Sequence, residues 1–199
     1  SYNDGHYFKD NSLLNSEEFR ITLGLYVDDF EVANPLGTSR VKECGYEKVM
    51  QPLVKDLVHL EQTGLFIDQL GATVKGTVLY VSADNLGAHS MAGFLEGFTA
   101  ERFCCFCMGT RTEVQHTEVG SSNTETRTKD THDRHVKEVK QDPSLSKLYG
   151  VKGSCPLTDA LQHFHAVTGY PPDILHDLLE GIVPAELCLC LSEMIEKSQ

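Results

Sequence analysis

Two short runs, "LGLYVDD" and "TVLYVSADN", constrain the fold of this chain more than any other feature. In the first, extended back by two residues, Ile21, Leu23, Leu25 and Val27 alternate with Thr22, Gly24, Tyr26 and Asp28. That period of two, rich in β-branched and aromatic types, belongs to a strand. The second runs apolar into Asp84 and predicts another strong strand. In open α/β sheets, functional groups collect at the carboxyl ends of strands. If the two strands are neighbours, Asp28 and Asp84 leave from one sheet edge. Their hard oxygens suit Mg²⁺ or Mn²⁺, and a pair of such ions can clamp an in-line phosphoryl transfer. Asp29 and Glu31 crowd more negative charge beside Asp28, which favours a cation there. The competing reading is that each aspartate only closes its strand, as a turn residue or helix cap.

The intervening segments predict an α/β order. "NPLGT" reads as a turn. "YEKVMQPLVKDLVHLEQTG" places Val49, Leu53, Leu57 and Leu60 at helical spacing, with Pro52 near the start and Gly64 as the stop. "LGAHSMAGFLEGF" predicts a helix just after Asp84. Residues 109–142 are polar and rich in Ser and Thr, as expected of a loop or small inserted module outside the core. Pro156 opens a predicted helix through "TDALQHFHAV". Another starts at Pro171 or Pro172, with Ile174, Leu175, Leu178 and Leu179 on an apolar face, and Pro184 should kink or break it. The expected division is an N-terminal extension (1–19), a core (20–108), a polar insertion (109–150) and a C-terminal helical part (151–199).

Charge and cysteine usage narrow the function classes. The formal net charge of −12 argues against a free-standing basic nucleic-acid binder. It leaves room for an enzyme core with clustered carboxylates that borrows DNA affinity from elsewhere. No apolar run approaches the roughly 18 residues of a membrane span. The start, "SYNDGHYFKD", is polar and acidic and reads as neither a signal nor a transit peptide. Seven unevenly spread cysteines point to a reducing, intracellular compartment. Cys44, Cys155, Cys188 and Cys190 read as buried or semi-buried thiols.

"ERFCCFCMGT" places Cys104 and Cys107 in C-x-x-C spacing, with Cys105 incidental between them. A thioredoxin-like redox pair would need a different preceding strand pattern, so structural zinc is the stronger expectation. The spacing supplies two tetrahedral ligands from one knuckle. "THDRH" offers His132 and His135 as the other two, with His116 a weaker substitute. The rival partners are Asp173 and His176 in "PPDILHDLLEGI", which share one helix face at i, i+3 and otherwise read as a capped helix start. His163 and His165 would face apart on a helix and carry no site.

Taken in order, "LGLYVDDFEVANPLG", "YVSADNLGAHSMAGFLEGF", "RFCCFC", "YGVKGSCPL" and "PPDILHDLLEGI" resemble the DDE transposases of the CACTA (En/Spm-like) group and their transposon-derived animal relatives. The resemblance spans roughly residues 20 to 185, and the ordered set is more specific than any single motif. An Asp strand followed by C-x-x-C also resembles, more distantly, the catalytic subunit of the vertebrate antigen-receptor recombinase. The resemblance implies a ribonuclease-H-like (retroviral-integrase-like) core with an inserted zinc-knuckle-like module. It implies Asp28 and Asp84 as the first two ligands of catalytic Mg²⁺ or Mn²⁺. Cys104 and Cys107 would be half of a Zn²⁺ site, and Asp173 and His176 the family's D-x-x-H pair. DNA would be the substrate and the nucleus the setting, with a protein partner or oligomer supplying affinity.

Two departures qualify it. Only about fifteen residues separate Phe30 from Tyr46, barely enough for two short strands where the family has several dozen more. The family's third acidic ligand lies well beyond the D-x-x-H helix, and here Glu180 and Glu186 are the only nearby substitutes. The expectation is therefore a truncated, internally deleted relative that is catalytically incomplete. The alternative is a non-enzymatic, zinc-stabilised interaction module.

Overall fold

The computed structural model describes residues 9, 11–14, 19–27, 40–97, 100–116 and 124–197, with the backbone alone over 40–47. It is a mixed α/β structure built on three strands in the order β1-β3-β2, where β1 is Arg20–Tyr26, β2 Leu65–Ile67 and β3 Ala72–Ser82. Helix α1, Arg40–Gln62, precedes β2 and lies against β3. It ends where predicted: Gly64 takes φ 81°, and Thr63 and Gly64 both donate to the His59 carbonyl, at 2.8 and 2.9 Å. This left-handed cap is open to glycine at little steric cost.

β1 and β3 are adjacent and parallel, as the apolar runs lead one to expect. Their register slips by one residue between Leu23 and Gly24, then runs from Gly24↔Tyr80 to Tyr26↔Ser82. A Cβ at position 24 would lie 2.6 Å from the Tyr80 ring, so this strand glycine gives the aromatic its room. β2 joins antiparallel through a tight turn and was not legible in the sequence. Three apolar residues beside a turn are too few to show a period.

α2, Asn85–Ala92, follows β3 directly. Asp84 caps it, its Oδ1 accepting the Gly87 N–H at 2.6 Å. Then come α3 (Arg111–His116), α4 (Lys129–Gln141), a 3-10 turn at Pro143–Leu145, α5 (Ser146–Tyr149), α6 (Pro156–Ala160) and α7 (Ala166–Gly169). The π-helical α8 (Leu175–Ile182) runs into α9 (Val183–Lys197). The core gathers Leu57 from α1, Val78 and Val81 from β3, Met91 and Phe94 around α2, and Val151, Leu157 and Phe164 from later segments. Buried Glu61 ties three parts together, accepting from the Thr77 hydroxyl at 2.5 Å and the Gln162 N–H at 2.6 Å.

Several expectations are corrected. The polar stretch 109–142 is not wholly outside the core: α4 buries His132, His135, Val136 and Val139. Four residues at i, i+3, i+4 and i+7 make a buried stripe, hidden from composition because two are histidines. Pro52 lies inside α1, which begins earlier than predicted. The helix from Pro156 stops at Ala160, and residues 161–165 separate it from α7. Pro184 does not break the C-terminal helix but stands in the first turn of α9. The turn before it is widened, with the Val183 N–H donating to the Leu178 carbonyl. A wide turn accommodates a residue that has no N–H and whose ring crowds the preceding carbonyls. Cys155 is buried as expected, but Cys188 and Cys190 are exposed.

Candidate functional site

The carboxyl edge of the β1–β3 pair comes first. The ladder persists to Val27, whose N–H donates to the Ser82 carbonyl at 2.9 Å. Asp84 follows two residues beyond Ser82 and combines its strand-end position with the cap of α2. Asp28, two residues beyond Tyr26 in the sequence, lies outside the described residues.

The polar side of α8 faces the same edge. Asn85 Nδ2 donates to Asp177 Oδ1 at 2.5 Å. Asp173 caps the start of α8, its Oδ1 accepting the N–H groups of Leu175 and His176 at 3.1 and 3.3 Å. Its Oδ2 pairs with His176 Nδ1. That bond raises the His176 pKa above its ordinary value, and the charges of Asp173, Glu180 and Asp84 add to it. Desolvation is the largest single influence on Asp173 and pushes its pKa up, but the hydrogen bonds and charge of His176 and the Leu175 N–H together outweigh it and hold the carboxyl low. D-x-x-H is thus both a helix cap and an ion pair.

The knuckle is built by a short antiparallel ladder. Met108 N–H donates to Glu125 O at 2.8 Å, Arg127 N–H to Phe106 O at 2.9 Å, and Cys107 bridges Thr126. Cys104 Sγ accepts the Phe106 N–H at 3.3 Å, closing a tight turn. The Cys104 and Cys107 thiols are in hydrogen-bond contact, and burial first, then that contact, raises the Cys107 pKa. Cys105 instead packs on the core, where burial pushes its thiol up to about 12. An unreactive packing role for Cys105 follows.

Arg127 lies behind this knuckle, only 2% exposed. Its Nη2 donates to the carbonyls of Cys104 and Tyr149 at 3.2 and 3.1 Å, and its guanidinium sits 5.3 Å from the Phe94 ring centroid. Nε and Nη1 have no hydrogen-bond partner. Burial lowers its pKa, and the three thiols of the knuckle are the groups that oppose the shift most. In the sequence Arg127 carries no signal of this role, because a lone basic side chain in a polar run reads as solvated.

His132 shares the Phe94 ring, at 5.0 Å between centroids, and meets His165 edge-on at 5.7 Å. His135 stacks on Tyr149 at 4.0 Å. Both Nδ1 atoms are buried without a partner. Burial, then Arg127 and His165, push His132 down to about 4. Burial and the Arg127 and Arg134 charges lower His135 as well. His165, set aside in the sequence, is a hub: Nδ1 accepts the Val167 N–H and Nε2 meets Asp133 Oδ1, each at 3.1 Å. Only its place before a short helix could have flagged it.

The cysteine half therefore fits zinc in donor type and proximity. The histidine half does not close around it. Among the described residues, no three Cys, His, Asp or Glu side chains stand close enough to share an ion. His132 and His135 are held in aromatic stacks, and both feel the Arg127 cation, which would repel a metal. Among the described residues, no helix is long and apolar enough to cross a membrane. Compared with known proteins, the chain matches no family model, no curated protein and no solved structure.

Proposed function

We propose that this chain carries part of a ribonuclease-H-like core of DDE-transposase ancestry, with its metal-binding edge at the ends of β1 and β3. One observation carries the reading: the strands are parallel neighbours, and Tyr26 pairs with Ser82, so Asp28 and Asp84 each follow the last paired residue by two. Divalent ions held there would neutralise a scissile phosphate and activate an attacking hydroxyl. The chain's own part is to present carboxylates from a rigid edge and to fix one of them through the Gly87 N–H. Cys104 and Cys107 supply thiolates for a structural zinc that braces the loop after α2. Asp177, hydrogen-bonded to Asn85 beside Asp84, joins Glu180 and Glu186 as a candidate for the third carboxylate that cleavage would need. DNA is the substrate class of the ancestry, and an acidic chain of net charge −12 relies on other subunits for affinity.

Mn²⁺ titration followed by electron paramagnetic resonance tests the edge. The wild-type chain should bind Mn²⁺, and Asp84→Asn should weaken it about tenfold or more. Binding unchanged in both Asp84→Asn and Asp28→Asn sinks the reading. A second reading, a zinc-braced interaction module without catalysis, is favoured by the outward apolar face of α8 and α9. Nicking of supercoiled DNA in Mn²⁺, lost in Asp84→Asn, would overturn that second reading.

A further inference from the structure

The arm formed by α8 and α9 stands clear of the core, with every residue from 174 to 197 exposed. An amphipathic helix ordinarily lays its apolar side on the protein and its polar side in water. Here α8 meets the body through a polar contact, Asn85 with Asp177. Its apolar residues are left in solvent, with Leu178 43% and Ile182 57% exposed. The pattern continues along α9. Leu187, Leu191 and Met194 recur at i, i+4 and i+7, which places them on one stripe, and they are 57%, 57% and 67% exposed. An exposed apolar stripe on α9, next to further exposed apolar residues on α8, exceeds what single exposed side chains explain and marks a binding face.

Charge selects the occupant. From Asp173 to Lys197 the arm carries six carboxylates and one lysine, and that lysine already donates to Glu193 at 2.5 Å. Glu180, Glu186 and Glu193 border the stripe. A second copy of this chain would match the stripe but bring the same carboxylates against them, within a net charge of −12 per chain. An anionic lipid surface would be repelled for the same reason. A helix with a matching apolar face and lysine or arginine flanks satisfies both features, since apolar anchors at i, i+3 or i+4 and i+7 are how helices dock on helical faces. We infer that the outward face of α8 and α9 is a docking surface for a basic-flanked amphipathic helix of a partner polypeptide. The inference is independent of whether the chain cleaves DNA.

The test uses the whole chain and two labelled synthetic helices that share one leucine stripe, one flanked by lysine and arginine, the other by glutamate. Fluorescence anisotropy should show the basic peptide binding at about 10 µM or tighter and the acidic peptide at least tenfold weaker. Leu187→Ser with Leu191→Ser should weaken the basic peptide about tenfold while far-ultraviolet circular dichroism stays unchanged. Glu186→Gln with Glu193→Gln keeps the stripe and should narrow the gap between the two peptides. Equal binding of both peptides, or none of the basic one, overturns the proposal. So does sedimentation showing a wild-type dimer that Leu187→Ser with Leu191→Ser converts to monomer, because the stripe then belongs to a second copy.

Discussion

Helix α4 and the capped start of α8 each present a pair of candidate ligands three residues apart, His132 with His135 and Asp173 with His176, and the fold gives the pairs opposite surroundings. The first pair is inside, stacked on Phe94 and Tyr149, with burial and the Arg127 charge holding both rings neutral. The second is at the surface, where the Asp173 hydrogen bond and neighbouring carboxylates raise the His176 pKa. Identical spacing therefore sets which side chains share a face, while the surroundings set which protonation state they keep.

The largest test of the contrast is zinc. Structural zinc can contribute on the order of 10 kcal/mol to a small module, so ligand loss is felt both as metal release and as unfolding. Cys104→Ser should release about one equivalent of zinc and open residues 109–142 to protease, whereas Cys105→Ser should keep the metal. His132→Ala with His135→Ala should keep zinc and lose stability, because these rings serve as packing. Asp173→Asn with His176→Ala is the partner experiment. Zinc lost from the first double variant and kept in the second, measured by elemental analysis, would reverse the contrast.

Next in size is packing itself. Phe94 is buried against His132 and Arg127, and Phe94→Ala should cost about 3–5 kcal/mol in urea unfolding. Ile182 faces solvent on the arm, and Ile182→Ala should stay within about 0.5 kcal/mol. A loss above that from Ile182→Ala would show that the arm is covered in solution.

What the sequence made legible follows from this contrast. Strands β1 and β3 and the caps at Gly64 and Asp84 were readable because period, apolar runs and capping residues act locally. The α4 stripe was not, because burying His132 and His135 depends on rings contributed by Phe94 and Tyr149, distant in sequence. Arg127 was missed for the same reason: its partners are carbonyls at Cys104 and Tyr149. The C-x-x-C turn was legible as a knuckle, but spacing could not say whether either i, i+3 pair approaches it, and among the described residues neither comes close enough to share an ion with both cysteines.

The smallest expected effect separates the pairs by sign. His132 is held near 4 in the folded chain against 6.5 ordinarily, so between those values the unfolded chain takes up the proton first. Stability from this group is complete above pH 6.5 and falls as the pH drops toward 4, by about 3 kcal/mol in total. His176 behaves oppositely. Its folded pKa is raised, so its contribution is present below 6.5 and fades as the pH climbs through the raised value. The half-exposed ring is screened by water, and its limb should be shallow. Urea midpoints measured from pH 4 to 8 should therefore fall steeply on the acid side, and His132→Leu should flatten that side alone. His176→Gln should leave the acid slope intact and remove the shallow alkaline one. An acid slope that survives His132→Leu would mean that the neutral, buried state of α4 is not what distinguishes it from α8.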